Sequence, residues 1–421
     1  MPTRKITPQR ALVVGGGIVG LSAAIDLQRR GLATELVTAS PMRGTASWGN
    51  AGHIAVEQVE PLASFATIRS FPRRLFARGG ALGLPPGDIR AWLPFSLRLV
   101  GAARPRSFAR GAAALSAALA EATPAWRRLL DTVAAPQLLV DSGHFIVWET
   151  PETAARNRAH WMGAPIGTAR VRDASPEEIA LLRALVAQPI AGAVKVEGSG
   201  QIADPDALAD ALERGFARLG GEIRIGHVQS LVQRADGQVV ALLDHGEALE
   251  ADAIVVATGA ATPPLLEPLG HRVPLIAERG YHIQSAGTGW PADLPPVVFE
   301  DRSMIVTRFA SGLRAASFVE FGRLASPPDP RKWARLHAHA EALGLPIGTD
   351  AVPWMGARPT FPDYLPAIGR SARANNLFYA FGHQHLGLTL GPITGEAIGA
   401  LVTGQAPALD LAPFDLRRFR G

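Results

Sequence analysis

The chain has no cysteine among its 421 residues. This absence excludes disulfide bonds, thiolate catalysis, iron–sulfur clusters and attachment of a cofactor through cysteine. Lysine is scarce too, because only Lys5, Lys195 and Lys332 stand among the 42 basic residues. Arginine therefore supplies nearly all of the positive charge.

Long apolar runs are also missing. No stretch of 18 apolar residues occurs, so no transmembrane helix is predicted, and the first apolar run breaks at Gly15 without a typical cleavage site, which predicts no signal peptide. We expect a cytoplasmic protein. Peripheral contact with the inner membrane stays open, because AWLPFSLRLVGA at 91–102 has the pattern of an amphipathic surface helix. Core packing of a second domain is the simpler interpretation.

Charge and composition narrow the class of protein. The formal net charge is +5, but the arginines look scattered and form no block of five like charges, which argues against nucleic acid. Apolar residues make up 47% of the chain and charged residues 19%. These values predict a globular protein with a sizeable core and two or more modules.

A glycine motif near the start carries the first functional signal. Residues 11–14 are apolar and predict a buried strand, Gly15, Gly17 and Gly20 form G-x-G-x-x-G, and residues 18–30 have helical periodicity. A strand, a glycine turn and a helix in this order are typical of a dinucleotide site, where phosphates meet the helix N-terminus. A merely structural glycine-rich turn is the alternative. Thr38 stands where an acidic ribose ligand is usual, so Thr38 or Ser40 would donate a hydroxyl hydrogen bond instead.

Later segments predict a return to the same domain. Asp204-Pro205 begins a helix that ends at Gly220-Gly221, a strand follows over 222–233, and AIVVA at 253–257 leads into Thr258-Gly259. Near the end, a strand over 376–381 precedes a loop rich in glycine and histidine. Pro392 is predicted to start the final helix.

Four motifs together resemble the D-amino acid oxidase-like family of FAD-dependent oxidoreductases, and especially its bacterial D-amino acid dehydrogenase and hydroxyproline-catabolic members. They are VVGGGIVGLSAA at 13–24, SWGNAGHI at 47–54, ATGA at 257–260, and GARPTFPDYLPAIGR at 356–370 paired with GHQHLGLTLGPITG at 382–395. The resemblance implies an α/β fold in which a two-dinucleotide-binding, Rossmann-like FAD domain (1–60, 196–265 and 355–421) joins a discontinuous mixed-sheet substrate domain (61–195 and 266–354).

The resemblance also implies cofactor contacts. Relatives with covalently bound flavin carry histidine directly after the tryptophan of the second motif, whereas Gly49 stands there in this chain, so FAD is expected to bind non-covalently. The expected cofactor-binding residues are Gly15, Gly17, Ile18, Val19, Gly20, Thr38, Ser40, Thr45, Ala46, Ser47, Asn50, Ala51, Gly52, Val228, Ala257, Thr258, Gly259, Gly382, His383, Leu386, Gly387, Leu388 and Thr389.

Arg358 is the candidate clamp for a substrate carboxylate, since guanidinium offers two parallel donors; the alternative is an arginine that ties down its own loop. His385 lies where some relatives carry an arginine that faces the substrate. His53, Tyr281 and His282 complete the candidate catalytic residues, and no metal site is predicted.

The implied reaction is hydride transfer from the substrate Cα to flavin N5, on a D-amino acid or a cyclic imino acid such as hydroxy-D-proline. The expected partners are this small substrate and an electron acceptor (a quinone, another carrier or O2); the resemblance favours a dehydrogenase. Oxidation of a glycine- or sarcosine-like amine, an NAD(P)-dependent dehydrogenase and a flavin-dependent RNA-modifying protein are the alternatives.

Overall fold

The computed structural model describes residues 8–419. Residues 1–7 and 420–421, at the ends of the predicted FAD-binding domain, lie outside the described residues. Within the described part, no helix combines the length and the apolar character needed to cross a bilayer.

The described chain alternates short strands with helices. The strands are β1 (Arg10–Val14), β2 (Ala33–Thr38), β3 (His53–Ile54), β4 (Leu82–Gly83), β5 (Leu139–Val140), β6 (His144–Trp148), β7 (Arg170–Asp173), β8 (Gly192–Glu197), β9 (Gly200–Ile202), β10 (Glu222–Ile225), β11 (Val228–Gln233), β12 (Val239–Leu243), β13 (Ala248–Leu249), β14 (Ala253–Val256), β15 (Ile276–Ser285), β16 (Val297–Phe299), β17 (Met304–Phe309), β18 (Gly312–Gly322), β19 (Val352–Thr360), β20 (Ala367–Arg370) and β21 (Leu377–Phe381). The helices are α1 (Ile18–Arg29), α2 (Phe65–Arg74), α3 (Ile89–Ala102), α4 (Pro105–Ala120), α5 (Ala122–Thr132), α6 (Pro151–Gly163), α7 (Pro176–Leu185), α8 (Pro205–Arg218), α9 (Pro263–Leu266), α10 (Pro330–Leu343) and α11 (Gly387–Val402).

Two large sheets organise these elements, which confirms the predicted α/β class. The first, the Rossmann-like sheet, has the order β10-β2-β1-β14-β21-β20, and only the edge strand β20 runs antiparallel to its neighbour. Its inner strands are buried apolar runs, as a parallel sheet covered on both faces requires. The second, the mixed sheet, has nine strands in the order β19-β15-β18-β17-β16-β6-β8-β7, with β4 paired to β18.

The sheets show why the division into two discontinuous domains is attractive. The Rossmann-like sheet draws its strands from the start, middle and end of the chain, whereas the mixed sheet takes the segments between them. Strand β8 spans the predicted boundary at 195/196 and β19 spans the one at 354/355. We therefore keep the division as a proposal.

Helices α1 and α11 pack in parallel through a glycine stripe. A Cβ on Gly391 would lie 3.1 Å from the side chain of Ile18, and one on Gly395 would lie 2.6 Å from the backbone of Ser22. One on Gly399, a turn further along, would meet the carboxylate of Asp26. The contacts advance in the same direction along both helices. Their N-termini, and the positive ends of their dipoles, therefore point the same way.

The final helix starts earlier than predicted. It begins at Gly387, and Pro392 lies inside it, so the prediction that Pro392 starts it is wrong. A proline inside a helix cannot bond to the carbonyl four residues before it. Here the buried indole N–H of Trp126 on α5 donates to the Leu388 carbonyl at 3.0 Å. This tertiary contact makes the early start possible, and no local sequence signal reveals it.

The predicted strand over 222–233 is also divided. The chain forms β10, leaves the sheet at Gly226 and His227, and continues as β11 in a separate three-stranded sheet. Gly226 N–H donates to the Thr38 carbonyl at 2.9 Å, which fixes the exit beside the end of β2. The predicted helix start at Asp204-Pro205 is confirmed, because Asp204 caps α8.

A buried ion cluster fixes one side of the mixed sheet. Glu320 on β18 pairs with Arg279 and Lys332, each at 2.5 Å, and all three side chains are at most 2% exposed. Asp88, which precedes α3, bonds to Arg323 at 2.7 Å and lies 3.9 Å from Arg279. Buried charges without partners are costly, so this network holds the start of α3 firmly on the sheet.

The glycine stripe yields a stability prediction. Gly395→Ala should lower the free energy of unfolding by about 1–3 kcal/mol, because its Cβ meets backbone atoms that cannot move aside. Gly101→Ala in α3 is the matched control: nothing lies within 4 Å of its Cβ, so helix propensity should leave stability unchanged or raise it by up to about 1 kcal/mol. Denaturant titration measures both. Equal effects would contradict a close contact at Gly395.

Candidate functional site

The glycine turn after β1 is shaped by close backbone contacts. Gly15 has φ +117°, and a Cβ there would lie 2.5 Å from the carbonyl oxygen of Ala257. A Cβ on Gly20 would lie 1.9 Å from the Gly15 carbonyl oxygen, so α1 approaches the turn closely. A Cβ on Gly17 would meet only the Ser47 hydroxyl, at 3.1 Å. Gly17 therefore keeps one side of the turn open, as a pyrophosphate would require.

The loop over 45–55 joins the N-termini of α1 and α11. The Ile18 N–H at the start of α1 donates to Ser47 Oγ at 3.0 Å. At the other end of the loop, Ala55 N–H donates to Thr389 Oγ1, in the first turn of α11, at 3.0 Å. Predicted cofactor residues from distant parts of the sequence thus meet where two positive helix ends lie together, an arrangement that favours negative charge.

The mixed sheet holds this loop by its carbonyl groups. Arg314 on β18 donates to the carbonyls of residues 48 and 50, His282 on β15 donates to that of residue 49 at 2.9 Å, and Thr307 on β17 donates to that of residue 51 at 3.0 Å. Four successive carbonyls therefore face the mixed sheet. Asn50 adds a local bond to the Ser47 carbonyl, and its amide oxygen accepts from Gly52 N–H at 2.6 Å.

Three buried polar atoms of the loop have no partner in the described part of the chain. They are Thr45 Oγ1, Trp48 Nε1 and His53 Nδ1. Buried hydroxyl and indole groups normally make hydrogen bonds, so unpartnered ones indicate a missing polar ligand. Together with the open side of Gly17 and the paired helix ends, they fit an extended dinucleotide such as FAD.

The remaining predicted cofactor residues lie around this loop and along one edge of the Rossmann-like sheet. Thr38 is buried, and its hydroxyl donates to the Ser40 carbonyl at 2.9 Å, so the expected donation from Thr38 to a ribose is not available in this geometry. Val228 opens β11, just past this edge. Thr258 Oγ1 bonds to Thr262 at 2.9 Å. The other positions are Val19 in α1, Ala46 and Ala51 in the loop, Gly259 after β14, and Gly382, His383, Leu386, Gly387 and Leu388 between β21 and the first turn of α11.

A family model described as FAD dependent oxidoreductase, abbreviated DAO, matches residues 10–401. The chain belongs to the DAO family of FAD-dependent oxidoreductases. FAD is accordingly its cofactor. Ser47, Thr389 and the glycine turn are the residues that would hold it; the non-covalent mode remains a prediction.

Curated relatives align with this DAO-family chain over almost its whole length. A D-amino-acid oxidase of Bradyrhizobium diazoefficiens is 28% identical over 418 residues, which cover 97% of this chain and 98% of the relative. A D-amino acid dehydrogenase 2 of Ralstonia nicotianae is 29% identical over 427 residues, covering 96% and 99%. Among solved structures, a glycine oxidase from Geobacillus kaustophilus superposes with a TM-score of 0.71 at 23% identity and covers 98% of this chain and 99% of its own, which supports the shared fold.

Arg358 on β19 lies in a pocket made by the mixed sheet. Its Nη1 donates to the buried Glu278 carboxylate at 3.3 Å and to the Phe318 carbonyl at 3.1 Å. Phe318 has φ +70°, a strained conformation at a bulge opposite Gly280. A Cβ on Gly280 would lie 2.3 Å from Arg358 Nη2, so this glycine makes room for the guanidinium. The Arg358 side chain remains 30% exposed.

Glu278 fixes Arg358 from below. Its second carboxylate oxygen accepts from Thr360 Oγ1 at 3.1 Å and from Tyr364 OH at 3.2 Å, and the side chain is buried. The Glu278 carboxylate holds only Nη1 of the guanidinium. Within residues 8–419, Nε and Nη2 of Arg358 have no acceptor, so two parallel donors are available to a carboxylate.

His53 belongs to a buried polar cluster whose charges act on His385. His53 Nε2 bonds to Glu57 at 2.9 Å, and the His53 ring packs edge-on against His144 at 4.5 Å between ring centres. Burial disfavours the ionised Glu57 carboxylate, but the charge and hydrogen bond of His53 outweigh it and lower the pKa of Glu57 to about 2. His144 Nδ1 bonds to Ser199 at 2.9 Å. One nitrogen or oxygen atom from each of His53, Glu57 and His144 lies within 4.8 Å of the other two. The sequence analysis did not predict this cluster.

His385 completes the pocket wall. Its Nε2 bonds to Gln58, and burial together with the charge of Arg358 lowers its pKa to about 3. His383 instead bonds to Thr394 inside α11 at 3.0 Å, so the two histidines contact different parts of the structure. The left-handed residue between them, Gln384 with φ +49°, separates their directions.

His282 and Tyr281 are neighbours in sequence but point to opposite faces of β15. The His282 ring stacks on Trp354 with 4.8 Å between ring centres. It also supports the loop over 45–55 through its hydrogen bond to the carbonyl of residue 49. A Cβ on Gly49 would lie 2.2 Å from the Trp354 ring, so a larger residue at position 49 does not fit. The Tyr281 hydroxyl donates a hydrogen bond to Glu320 at 2.7 Å. Tyr281 therefore belongs to the buried ion cluster and not with the other candidate catalytic residues.

Several site residues were missed by the sequence analysis. Arg314 and Glu278 are buried charged residues in strands that each carry one other charge, Glu320 and Arg279 respectively, and charge inside a buried strand marks a candidate functional residue. Thr307, Gln58 and Tyr364 carry no such signal. Their roles depend on which strand faces the loop.

Buried histidines predict a specific pH dependence. Burial and the nearby charge of Arg314 lower the pKa of His282 to about 3, and the pKa values of His144, His383 and His385 also fall to about 3. The unfolded chain binds these protons near pH 6.5 and the folded chain does not, so stability is complete above pH 6.5 and is lost as pH falls toward 3.

Each buried ring should contribute a slope of about 1.4 kcal/mol per pH unit in the upper part of this window, before carboxylates titrate. His282→Asn keeps a donor for the carbonyl of residue 49 but removes the titrating ring, so its loss of stability between pH 6 and pH 5 should be shallower by about that amount. Thermal melting across this range checks it. The exposed His245, changed to Asn, should not flatten the curve, and a wild-type slope in His282→Asn would contradict the assignment.

Proposed function

We propose that this protein is an FAD-dependent dehydrogenase of a D-amino acid or a cyclic imino acid such as hydroxy-D-proline. The proposal depends on the geometry of Arg358, whose side chain is 30% exposed. Glu278 holds its guanidinium at Nη1, and the other donors are available. Curated relatives named D-amino-acid oxidase and D-amino acid dehydrogenase 2 support the substrate class.

The side chains divide the work around this clamp. Arg358 would pin the substrate carboxylate, while Glu278, Thr360 and Tyr364 fix the guanidinium. His385, whose depressed pKa keeps its ring neutral at pH 7, and His53 with the ionised Glu57 would form the polar wall near the amine. FAD, when bound, supplies the acceptor for the hydride from Cα. The chain supplies orientation, which can account for a large share of rate enhancement.

The electron acceptor is a separate part of the proposal. The names of the relatives include an oxidase and dehydrogenases, and we favour a dehydrogenase that passes electrons to a quinone or another carrier. Peripheral contact with a membrane fits this choice.

Anaerobic bleaching of the flavin absorbance tests the substrate class. The yellow holoprotein should be bleached by one or more members of a panel of D-amino acids and D-prolines, and not by amines that lack a carboxylate. The panel includes glycine and sarcosine, whose preference over every D-amino acid would favour the alternative amine. No bleaching by any amino or imino acid would contradict the proposal.

Arg358→Leu should raise KM for carboxylate substrates by roughly tenfold or more, because a charge-assisted contact is lost. Arg358→Lys keeps the charge but not the two parallel donors, and should fall between the wild type and Arg358→Leu. Arg214→Leu is the control, since Arg214 is an exposed arginine on α8 outside the pocket, and its KM should equal that of the wild type. Steady-state kinetics with an artificial acceptor measures all three. An unchanged KM in Arg358→Leu would remove Arg358 from the clamp role.

A further inference from the structure

The positive charge of this chain is concentrated in one segment. Residues 61–120 contain nine arginines and a single acidic residue, Asp88, so the rest of the chain is net acidic although the whole carries +5. The arginines are therefore less scattered than the sequence analysis held. They are Arg69, Arg73, Arg74, Arg78, Arg90, Arg98, Arg104, Arg106 and Arg110.

Like Arg170 and Arg373 elsewhere, these nine arginines have no carboxylate partner in the part of the chain that the structure describes, but they are grouped in one segment. All nine are exposed, and none forms an ion pair with any residue in 8–419. In contrast, Arg127, Arg158 and Arg234 are exposed arginines that each bind a neighbouring carboxylate. The only acid of the segment, Asp88, is buried and committed to the ion cluster under α3. The charge of the segment therefore has no counterpart within the described chain.

An exposed apolar stripe runs along α3 beside this charge. Ile89, Leu93, Leu97 and Val100 are all exposed, and Leu97 reaches 67%. At 3.6 residues per turn they fall within an arc of roughly 80°. The opposite face of α3 is buried, because Phe95 and Leu99 pack on Phe321 of β18.

Helix α2 covers the same hydrophobic core as α3. Its Ile68 and Phe71 pack against the cluster that contains Phe95 and Leu99 of α3. Its Phe65 is 52% exposed, and Arg69 and Arg73 lie on its exposed side. Phe65 and the four-residue stripe of α3, with Arg69, Arg73, Arg90 and Arg98, form what we call the α2–α3 surface.

We propose that the α2–α3 surface docks on a lipid bilayer that contains anionic phospholipids. Exposed leucine and isoleucine beside unpaired arginine are the features of a helix that lies in the membrane interface, where the apolar side enters the acyl boundary and arginines reach the phosphates. Nucleic acid would use the charge but would leave the apolar stripe in water. The ion cluster around Asp88 anchors the start of α3 on the mixed sheet.

Vesicle flotation of the holoprotein tests the proposal without substrate. The wild type should float with phosphatidylcholine vesicles that contain roughly a third phosphatidylglycerol, and only weakly with phosphatidylcholine alone. About 1 M NaCl, where the Debye length falls to about 3 Å, should weaken the binding. A wild type that ignores anionic vesicles would overturn the proposal.

Two sets of variants separate the apolar and the charged contributions. Leu93→Gln with Leu97→Gln should weaken binding by roughly tenfold or more, since two buried leucines are lost. Val352→Gln is the apolar control, because Val352 has the same 67% exposure on another part of the surface. Arg69→Gln, Arg73→Gln and Arg98→Gln together should weaken binding by roughly a hundredfold, at about fivefold for each arginine.

The charge control is the triple change Arg127→Gln, Arg158→Gln and Arg234→Gln, which alters the net charge equally but removes only paired arginines. It should bind vesicles like the wild type. An equal loss in this control would indicate general cationic attraction and overturn the assignment. Melting temperatures and flavin content of all variants should match the wild type, because the changed side chains are exposed.

Two other occupants are outcomes of the same experiments. Concentration-dependent dimerisation in sedimentation velocity that the leucine changes abolish would identify a second copy of the chain and overturn the membrane assignment. Salt-sensitive binding of single-stranded RNA, unaffected by the leucine changes and without vesicle binding, would do so as well. Substrate bleaching of the flavin is measured separately, so its failure would reject the proposed function and leave the docking surface standing.

Discussion

The parallel packing of α11 on α1 is the constraint on which the rest of the structure depends. Glycines at three successive turns of α11 allow the two backbones to approach where any side chain would collide. This contact brings the beginning and the end of the chain together and aligns two helix N-termini. The electrostatic consequence is a concentration of positive dipole ends at one place, to which no charged side chain need contribute.

That alignment would be of little use without the loop between the helix ends. Ser47 and Thr389 attach the loop to the two helices, and Arg314, His282 and Thr307 of the mixed sheet hold its carbonyls. The proposed cofactor site thus draws on both sheets at once. Buried polar residues of the mixed sheet, far from the glycine motif in sequence, hold the loop that the motif contacts.

The mixed sheet has two faces with different tasks. On one side, a bulge at Gly280 and a strained Phe318 open space for Arg358, which Glu278 then orients. On the other side, Glu320 neutralises Arg279 and Lys332 and holds the beginning of α3. The helix pair α2–α3 packs on the first face, because Phe95 of α3 packs edge-on against Phe321, the cross-strand neighbour of Glu278. The same sheet therefore carries both the proposed substrate clamp and the proposed membrane contact.

The sequence by itself determined the family and several strands of the Rossmann-like sheet, because local order is enough for these. A strand, a glycine turn and a helix are adjacent in the chain, and helix caps such as Asp204 act over three residues. It also indicated Arg358 and His385 through motifs. Only the tertiary structure decided that α11 begins at Gly387, since the Leu388 carbonyl is satisfied by Trp126 from α5. The tertiary structure alone also decided that Tyr281 faces the ion cluster, that Arg314 holds the loop over 45–55, and that the apolar stripe of α3 is exposed. These outcomes depend on which distant groups meet, and a linear pattern does not contain that information.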